Sequence, residues 1–142
     1  MNKKFFIVVP AYNEEKTIEK VVDDILSNST VDKCIVVNNN STDSTEEIVR
    51  KQVEKYKGRL EILYEKKQGK GNALKLALDT LSDKNIDYIG IIDADDTYAA
   101  IEFDRMCKDL IDRKLDMIVG NRFVLGGYQD SNDRLGHIMG NK

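Results

Sequence analysis

The sequence predicts an α/β fold, a mostly parallel sheet with helices on both faces. Three observations predict it. Short apolar runs alternate with stretches of helical periodicity. Several runs are β-rich and continuous, as in strands buried on both sides. Polar clusters then follow the runs at their carboxyl ends.

The elements follow in order. Phe5 to Val9 is the first strand, running into Pro10. Ile18, Val21, Val22, Ile25 and Leu26 recur at helical spacing, with Thr17 as the cap region and Ser27-Asn28-Ser29 as a polar stop. Cys34 to Val37 reads as a second strand. Ile48, Val49, Val53 and Tyr56 mark a second helix, ended by Gly58. Leu60 to Tyr64 is a third strand. Leu74, Ala77, Leu78 and Leu81 give a third helix, opening near Lys70-Gly71. Tyr88 to Ile92 is the fourth strand, and Phe103, Met106, Leu110 and Ile111 the fourth helix. Met117 to Val119 is expected as a short fifth strand. From Phe123 to Lys142 the rhythm is lost. Gly126-Gly127 and Asp130-Ser131-Asn132-Asp133 read as a mobile loop, and the pattern stops as it would in a fragment of a longer chain.

Composition narrows the function classes. The 142 residues fit one domain, and a domain this size buries roughly two thirds of its unfolded surface. Apolar residues make up 41% and charged residues 33%, a globular balance. The net charge of −3 lacks the basic excess of a nucleic-acid binder, so no nucleic-acid partner is expected. A polyanionic ligand would need a metal or a local lysine cluster. Cys34 and Cys107 form no CxxC and read as buried free thiols, which implies a reducing, cytoplasmic compartment. No signal peptide is expected, and the longest apolar run is far short of the ~20 residues of a membrane span.

Open α/β sheets bind ligands at the carboxyl ends of their strands. Strand one runs into Pro10-Ala11-Tyr12-Asn13-Glu14-Glu15, and strand two into Asn38-Asn39-Asn40-Ser41-Thr42-Asp43. Strand four runs into Asp93-Ala94-Asp95-Asp96, and strand five into Gly120-Asn121-Arg122. Asp93 and Asp95, two apart, project to the same side of an extended backbone. Mg2+ or Mn2+ suits such a pair, with phosphate oxygens and water completing the shell. A pair of solvated turn aspartates would give the same sequence. Lys66-Lys67-Gln68-Gly69-Lys70-Gly71-Asn72 is a basic loop entering a helix, suited to an anion or equally to a solvated turn; it matches neither P-loop nor dinucleotide patterns. Arg122 suits a phosphate gripped by two hydrogen bonds, or nearly as well a surface ion pair. His137, the only histidine, reads as a solvated tail residue.

In order, these segments resemble the catalytic domain of family 2 glycosyltransferases, over roughly residues 5 to 122. Val8 to Glu15 is similar to the family's opening motif, Val36 to Thr45 to its second, Gln68 to Ala73 to its GKG segment, and Asp93-Ala94-Asp95 to its DxD. The resemblance implies a GT-A fold, a Rossmann-like α/β/α sandwich. It also implies metal-dependent, inverting transfer of a sugar from a UDP- or GDP-linked donor. Asp93 and Asp95 would bind Mg2+ or Mn2+, with Asp95 and Arg122 catalytic. Pro10, Ala11, Tyr12, Glu14, Asn38, Asn39, Ser41, Lys70, Gly71, Asp93 and Ala94 would contact the donor. The nucleotide-sugar domain would span 1–122, and 123–142 would begin an acceptor-side segment.

Asp95 to Tyr98, Gly120 to Phe123, Arg134-Leu135-Gly136 and Gly140-Asn141-Lys142 are similar to polyprenyl-phosphate sugar transferases related to dolichyl-phosphate mannose synthase. That similarity implies a lipid-phosphate acceptor at the inner face of the cell membrane. Such an acceptor is already ionised, so no protein base is required. No convincing base lies downstream of Asp95, since Asp130 and Asp133 are loop residues with no supporting context. Asn38 and Asn39 stand where the family commonly has acidic residues, and Thr97 where some relatives have a Gln metal ligand. Two other readings compete. Asp93 to Thr97 also fits the DxDxT nucleophile motif of haloacid-dehalogenase-type phosphatases. A chain cut short could instead bind a nucleotide sugar without turnover.

Overall fold

A computed structural model describes residues 3–97 and 100–120. Its elements are β1 (Phe5–Ala11), α1 (Ile18–Ser27), β2 (Lys33–Asn38), α2 (Thr45–Lys55), β3 (Leu60–Tyr64), α3 (Lys70–Leu81), β4 (Tyr88–Ile91) and α4 (Ala100–Asp112). They divide between two compact units, Met1–Ala100 and Ile101–Lys142.

The first unit holds the sheet, in the order β3-β2-β1-β4, with every neighbouring pair parallel. β2 and β3 build outward on one side of β1, and the chain then crosses back to add β4 on the other. Right-handed crossovers in opposite directions put their helices on opposite faces. α1 accordingly packs with α2, while α3 lies over β1 and β2. There Ala73, Ala77 and Leu81 meet Val8, Ile35 and Val37, all buried. The small alanines let the helix approach closely, and each large aliphatic residue gains about 1.5–3 kcal/mol by leaving water. Central strands β1 and β2 are covered on both faces, which is why their runs lack polar alternation.

Propensity placed the elements, and packing moved some of the buried positions. On α2 the buried residues are Thr45, Val49 and Gln52, whereas Ile48 and Val53 are half-buried. Gln52 stays buried because its amide donates to the Glu19 carbonyl at 2.9 Å and to Asp23 at 3.1 Å. On α3, Leu78 is exposed and Ala73 takes the inward place. β4 alternates half-buried and exposed residues, an edge-strand pattern among the described residues.

In the second unit, α4 buries Cys107 and Leu110, and Ile111 is exposed. The helix ends in a Schellman motif: Leu115 N–H donates to the Leu110 carbonyl at 3.0 Å and Lys114 N–H to Ile111 at 3.2 Å, with Lys114 left-handed at φ 52°. The strand expected at Met117 to Val119 is not formed. Met117 and Val119 are 76% and 74% exposed, and so short an apolar run offers too few ladder bonds to fix a strand. Cys34 and Cys107 are free buried thiols, as expected, and burial pushes the Cys34 thiol up to about 12. No helix of the described residues is long and apolar enough to cross a membrane.

Candidate active site

The strand order reverses between β1 and β4, and the sheet opens there at its carboxyl edge. Pro10 explains where. Ile92 N–H donates to the Val8 carbonyl at 3.1 Å, the last bond between the two segments. Pro10, two residues on, faces the same neighbour and has no N–H to continue the ladder. β4 therefore parts from β1, and a cleft of about 270 Å³ opens. It is lined by Pro10, Ala11, Tyr12, Glu14, Asn39, Lys70, Asp93, Ala94 and Asp95.

Three turns frame the cleft, after β1, β2 and β4. Each contains one left-handed Asn or Asp: Asn13 (φ 53°), Asn40 (φ 60°) and Asp96 (φ 60°). These residue types tolerate that backbone best after glycine. The first two turns are laced together. Asn13 N–H donates to the Ser41 hydroxyl at 3.0 Å, and Asn13 Oδ1 accepts from Thr42 N–H at 2.8 Å. Glu14 N–H donates to Thr45 Oγ1 at 2.9 Å, and Asp43 accepts from both the N–H and the hydroxyl of Thr45. Burial pushes the Asp43 carboxyl up, but these bonds and one from Glu15 N–H outweigh it and hold the group below its ordinary range.

The acidic turn rests on the start of α1. Thr17 is the N-cap residue of α1, as expected, but its hydroxyl makes no capping bond. It donates instead to the Ala94 carbonyl at 2.6 Å. Lys20 pairs with Asp96 at 2.8 Å, and hydrogen bonds to Asp24 and then Asp96 raise its ammonium above the usual range. Asp95 Oδ1 accepts from the Thr97 hydroxyl at 2.6 Å and from Thr97 N–H at 3.2 Å. Lys70 Nζ donates to Asp93 Oδ1.

Asn39 fixes the loop that brings Lys70. The residue is 4% exposed, and its amide donates to the Glu65 carbonyl at 3.0 Å and the Lys67 carbonyl at 2.9 Å. Its oxygen accepts Gly69 N–H at 2.8 Å. Gly69 needs this anchor, because φ 126° is open to few residues other than glycine. Gly71, by contrast, is helical, and a Cβ there would meet nothing within 4 Å. Packing does not demand its glycine, so the open space above it is available to a ligand.

Of the residues expected to bind, nine therefore line one cleft. Asn38 does not line it; it is buried, and its Oδ1 accepts Ser41 N–H at 3.0 Å. Ser41 serves the lacing of the turns, and Gly71 follows Lys70 without lining the cleft. Arg122, Tyr98, Asp130, Asp133 and His137 lie outside the described residues. Thr17 and Lys20 had no assigned site role in the sequence. Their only signal was position, at the start of the helix that follows the first motif.

A divalent cation fits the donor set of Asp93 and Asp95 only with help. No group of three or more His, Cys, Asp or Glu among the described residues could hold a metal alone. Two carboxylates plus ligand and water oxygens suit Mg2+ or Mn2+, which are commonly bound that way with phosphates.

The sequence model described as glycosyl transferase family 2 matches residues 6–139. The chain belongs to that family. Among relatives, protein RfbJ of Shigella flexneri is 34% identical over 116 residues, covering 82% of this chain and 83% of RfbJ. The UDP-N-acetylglucosamine–dolichyl-phosphate N-acetylglucosaminyltransferase of Methanococcus voltae is 28% identical over 134 residues, covering 85% of this chain and 53% of that enzyme. A mannosyltransferase from Pyrobaculum calidifontis, solved with GDP-Man and Mn2+, superposes with a TM-score of 0.57 at 29% identity. That match covers 67% of this chain and 28% of the other. The parallel four-stranded sheet flanked by helices is thus the Rossmann-like GT-A fold, and the chain is a glycosyltransferase domain. The phosphatase reading of Asp93 to Thr97 is not favoured by this kinship.

Proposed function

We propose that the domain transfers a sugar, with inversion, from a UDP- or GDP-linked donor to an acceptor, using Mg2+ or Mn2+ at Asp93 and Asp95. One observation supports this most. A single cleft at the sheet's reversal point gathers two carboxylates, a lysine at a helix start and the Pro10 to Tyr12 wall. The Mn2+ and GDP-Man named with the Pyrobaculum structure support the same ligand classes.

Tyr12, 47% exposed beside Pro10 and Ala11, offers a flat surface for a base. Glu14 lines the same side, and Asn38 and Ser41 shape it from behind through the turns they hold. Lys70, with the N–H groups of the first α3 turn, faces the diphosphate, and Gly71 leaves that approach open. Arg122 supplies a further phosphate contact. The metal, when bound, neutralises charge developing on the leaving diphosphate. Lys70 adds a second positive charge to the same oxygens.

The acceptor is a polyprenyl phosphate, a reading supported by the Methanococcus relative's name. Its phosphate oxygen, ionised at neutral pH, bonds to the sugar's anomeric carbon as the bond to the diphosphate breaks. No proton has to be removed from it, so the step asks for no protein base. The nucleotide-sugar domain spans 1–122, with 123–142 on the acceptor side, and the protein works in the cytoplasm at the inner membrane face.

Calorimetry with UDP, GDP and CDP, each with and without Mn2+, tests the reading. Nucleotide binding should strengthen with Mn2+ and lose that gain in Asp95→Ala. Binding indifferent to both would remove the metal role, and phosphate release from small phosphoesters would favour a phosphatase.

A further inference from the structure

We propose that Lys70 takes the place of a metal cation at Asp93, and that the joint arrival of cation and nucleotide hands it from Asp93 to the diphosphate. This rests on the nucleotide and metal reading above and concerns how the two ligands are coupled.

The placement of Lys70 is the first ground. It is the first residue of α3, where the helix dipole disfavours a positive charge. α1 has Glu19 in its first turn and α2 has Glu46 and Glu47, whereas α3 has no acid there. Helix stability does not account for a lysine at this point. Its ammonium instead reaches across 23 residues of sequence to Asp93.

The two carboxylates differ, and that is the second ground. Asp95 is held by its own turn through Thr97, a contact that leaves its other oxygen without a partner among the described residues. Asp93 is held by a mobile head group on a four-carbon stem, on a side chain 55% exposed. That head can move several ångströms without any change in backbone, because Asn39 and Gly69 keep the loop fixed. Asp93 is therefore the ligand whose partner can be exchanged.

The consequence is positive coupling. A cation arriving alone must displace Lys70 while gaining only two protein carboxylates. A nucleotide arriving alone must draw Lys70 away and leave Asp93 bare. Together, the cation takes Asp93 and the diphosphate takes Lys70, so each ligand tightens the other by the same factor.

Mn2+ binding without nucleotide, followed by the electron paramagnetic resonance of free Mn2+, tests the proposal. Lys70→Met should bind Mn2+ about two- to fivefold more tightly than the wild type, the range of an exposed ion pair. Lys70→Gln should show the same gain. Lys75→Met, which removes the same charge from α3 without touching Asp93, should show none. In Mn2+, nucleotide affinity of Lys70→Met should fall, and the mutual tightening should shrink. Equal or weaker Mn2+ binding by both Lys70 variants, including no detectable binding in any protein, overturns the proposal, as does an equal gain in Lys75→Met. Failure of the underlying reading shows separately, as wild type that binds no nucleotide in Mn2+.

Discussion

Replacing Asn39 by Asp changes one side-chain group and almost no volume, yet it strikes the anchor of the Lys70 loop. The amide's two donated bonds, to the Glu65 and Lys67 carbonyls at 3.0 and 2.9 Å, are both lost. A carboxylate keeps only the bond from Gly69 N–H at 2.8 Å and points its second oxygen at two carbonyls. At about 1–2 kcal/mol for each carbonyl left without its donor, the cost is about 2–4 kcal/mol. For a domain this size that lowers the melting midpoint by roughly 8–16 °C. The pH dependence has a definite sign. Burial and the facing carbonyls raise the introduced carboxyl above its unfolded value of about 3.9, so the ionised form is the destabilised one. The deficit against wild type is then smallest below about pH 4 and grows as pH rises through the folded value. Thermal unfolding from pH 3.5 to 7.5, with nucleotide titrations at pH 7, measures both effects. A midpoint within about 2 °C of wild type at pH 7, with unchanged nucleotide affinity, would refute the anchor.

Four further predictions rest on the same geometry. Gly69→Ala should lose about 1–3 kcal/mol in urea unfolding, because φ 126° strains any side chain and its Cβ would meet Asn72 at 3.2 Å. Gly71→Ala should instead gain about 0.5–1 kcal/mol while weakening nucleotide binding, since its space is open to a ligand and not to the core. Thr17→Val should cost about 1 kcal/mol and reduce the Mn2+-dependent part of nucleotide affinity, leaving the metal-independent part intact. Asp43 is held below its usual range, so the stability it contributes is present above its unfolded value and lost as pH falls through the folded one. Acid unfolding below about pH 4 should therefore be shallower in Asp43→Asn than in wild type.

Much of this was legible in the residues. The central strands announced themselves because burial on both faces requires an unbroken apolar run, as in Phe5 to Val9 and Cys34 to Val37. The cleft was legible because strand ends in a parallel sheet share one edge, so Pro10, Asn39 and Asp93 had to meet once the order was known. Roles were harder to read than positions. Asn39 looks like a ligand contact in sequence, and only the three backbone groups around it show that its amide is occupied. Thr17 reads as a cap, yet its hydroxyl reaches a residue 77 positions away, which no local pattern encodes. Met117 to Val119 misled because a three-residue apolar run has strand propensity without a ladder to join.

The most direct test of the central claim is a crystal of the protein grown with Mn2+ and UDP or GDP, with data collected for anomalous scattering from manganese. The account predicts a manganese peak at ligating distance, about 2.0–2.3 Å, from an Asp95 carboxylate oxygen, with the diphosphate completing its shell beside Lys70. A nucleotide bound away from the Pro10 to Tyr12 wall, or manganese remote from Asp93 and Asp95, would contradict it.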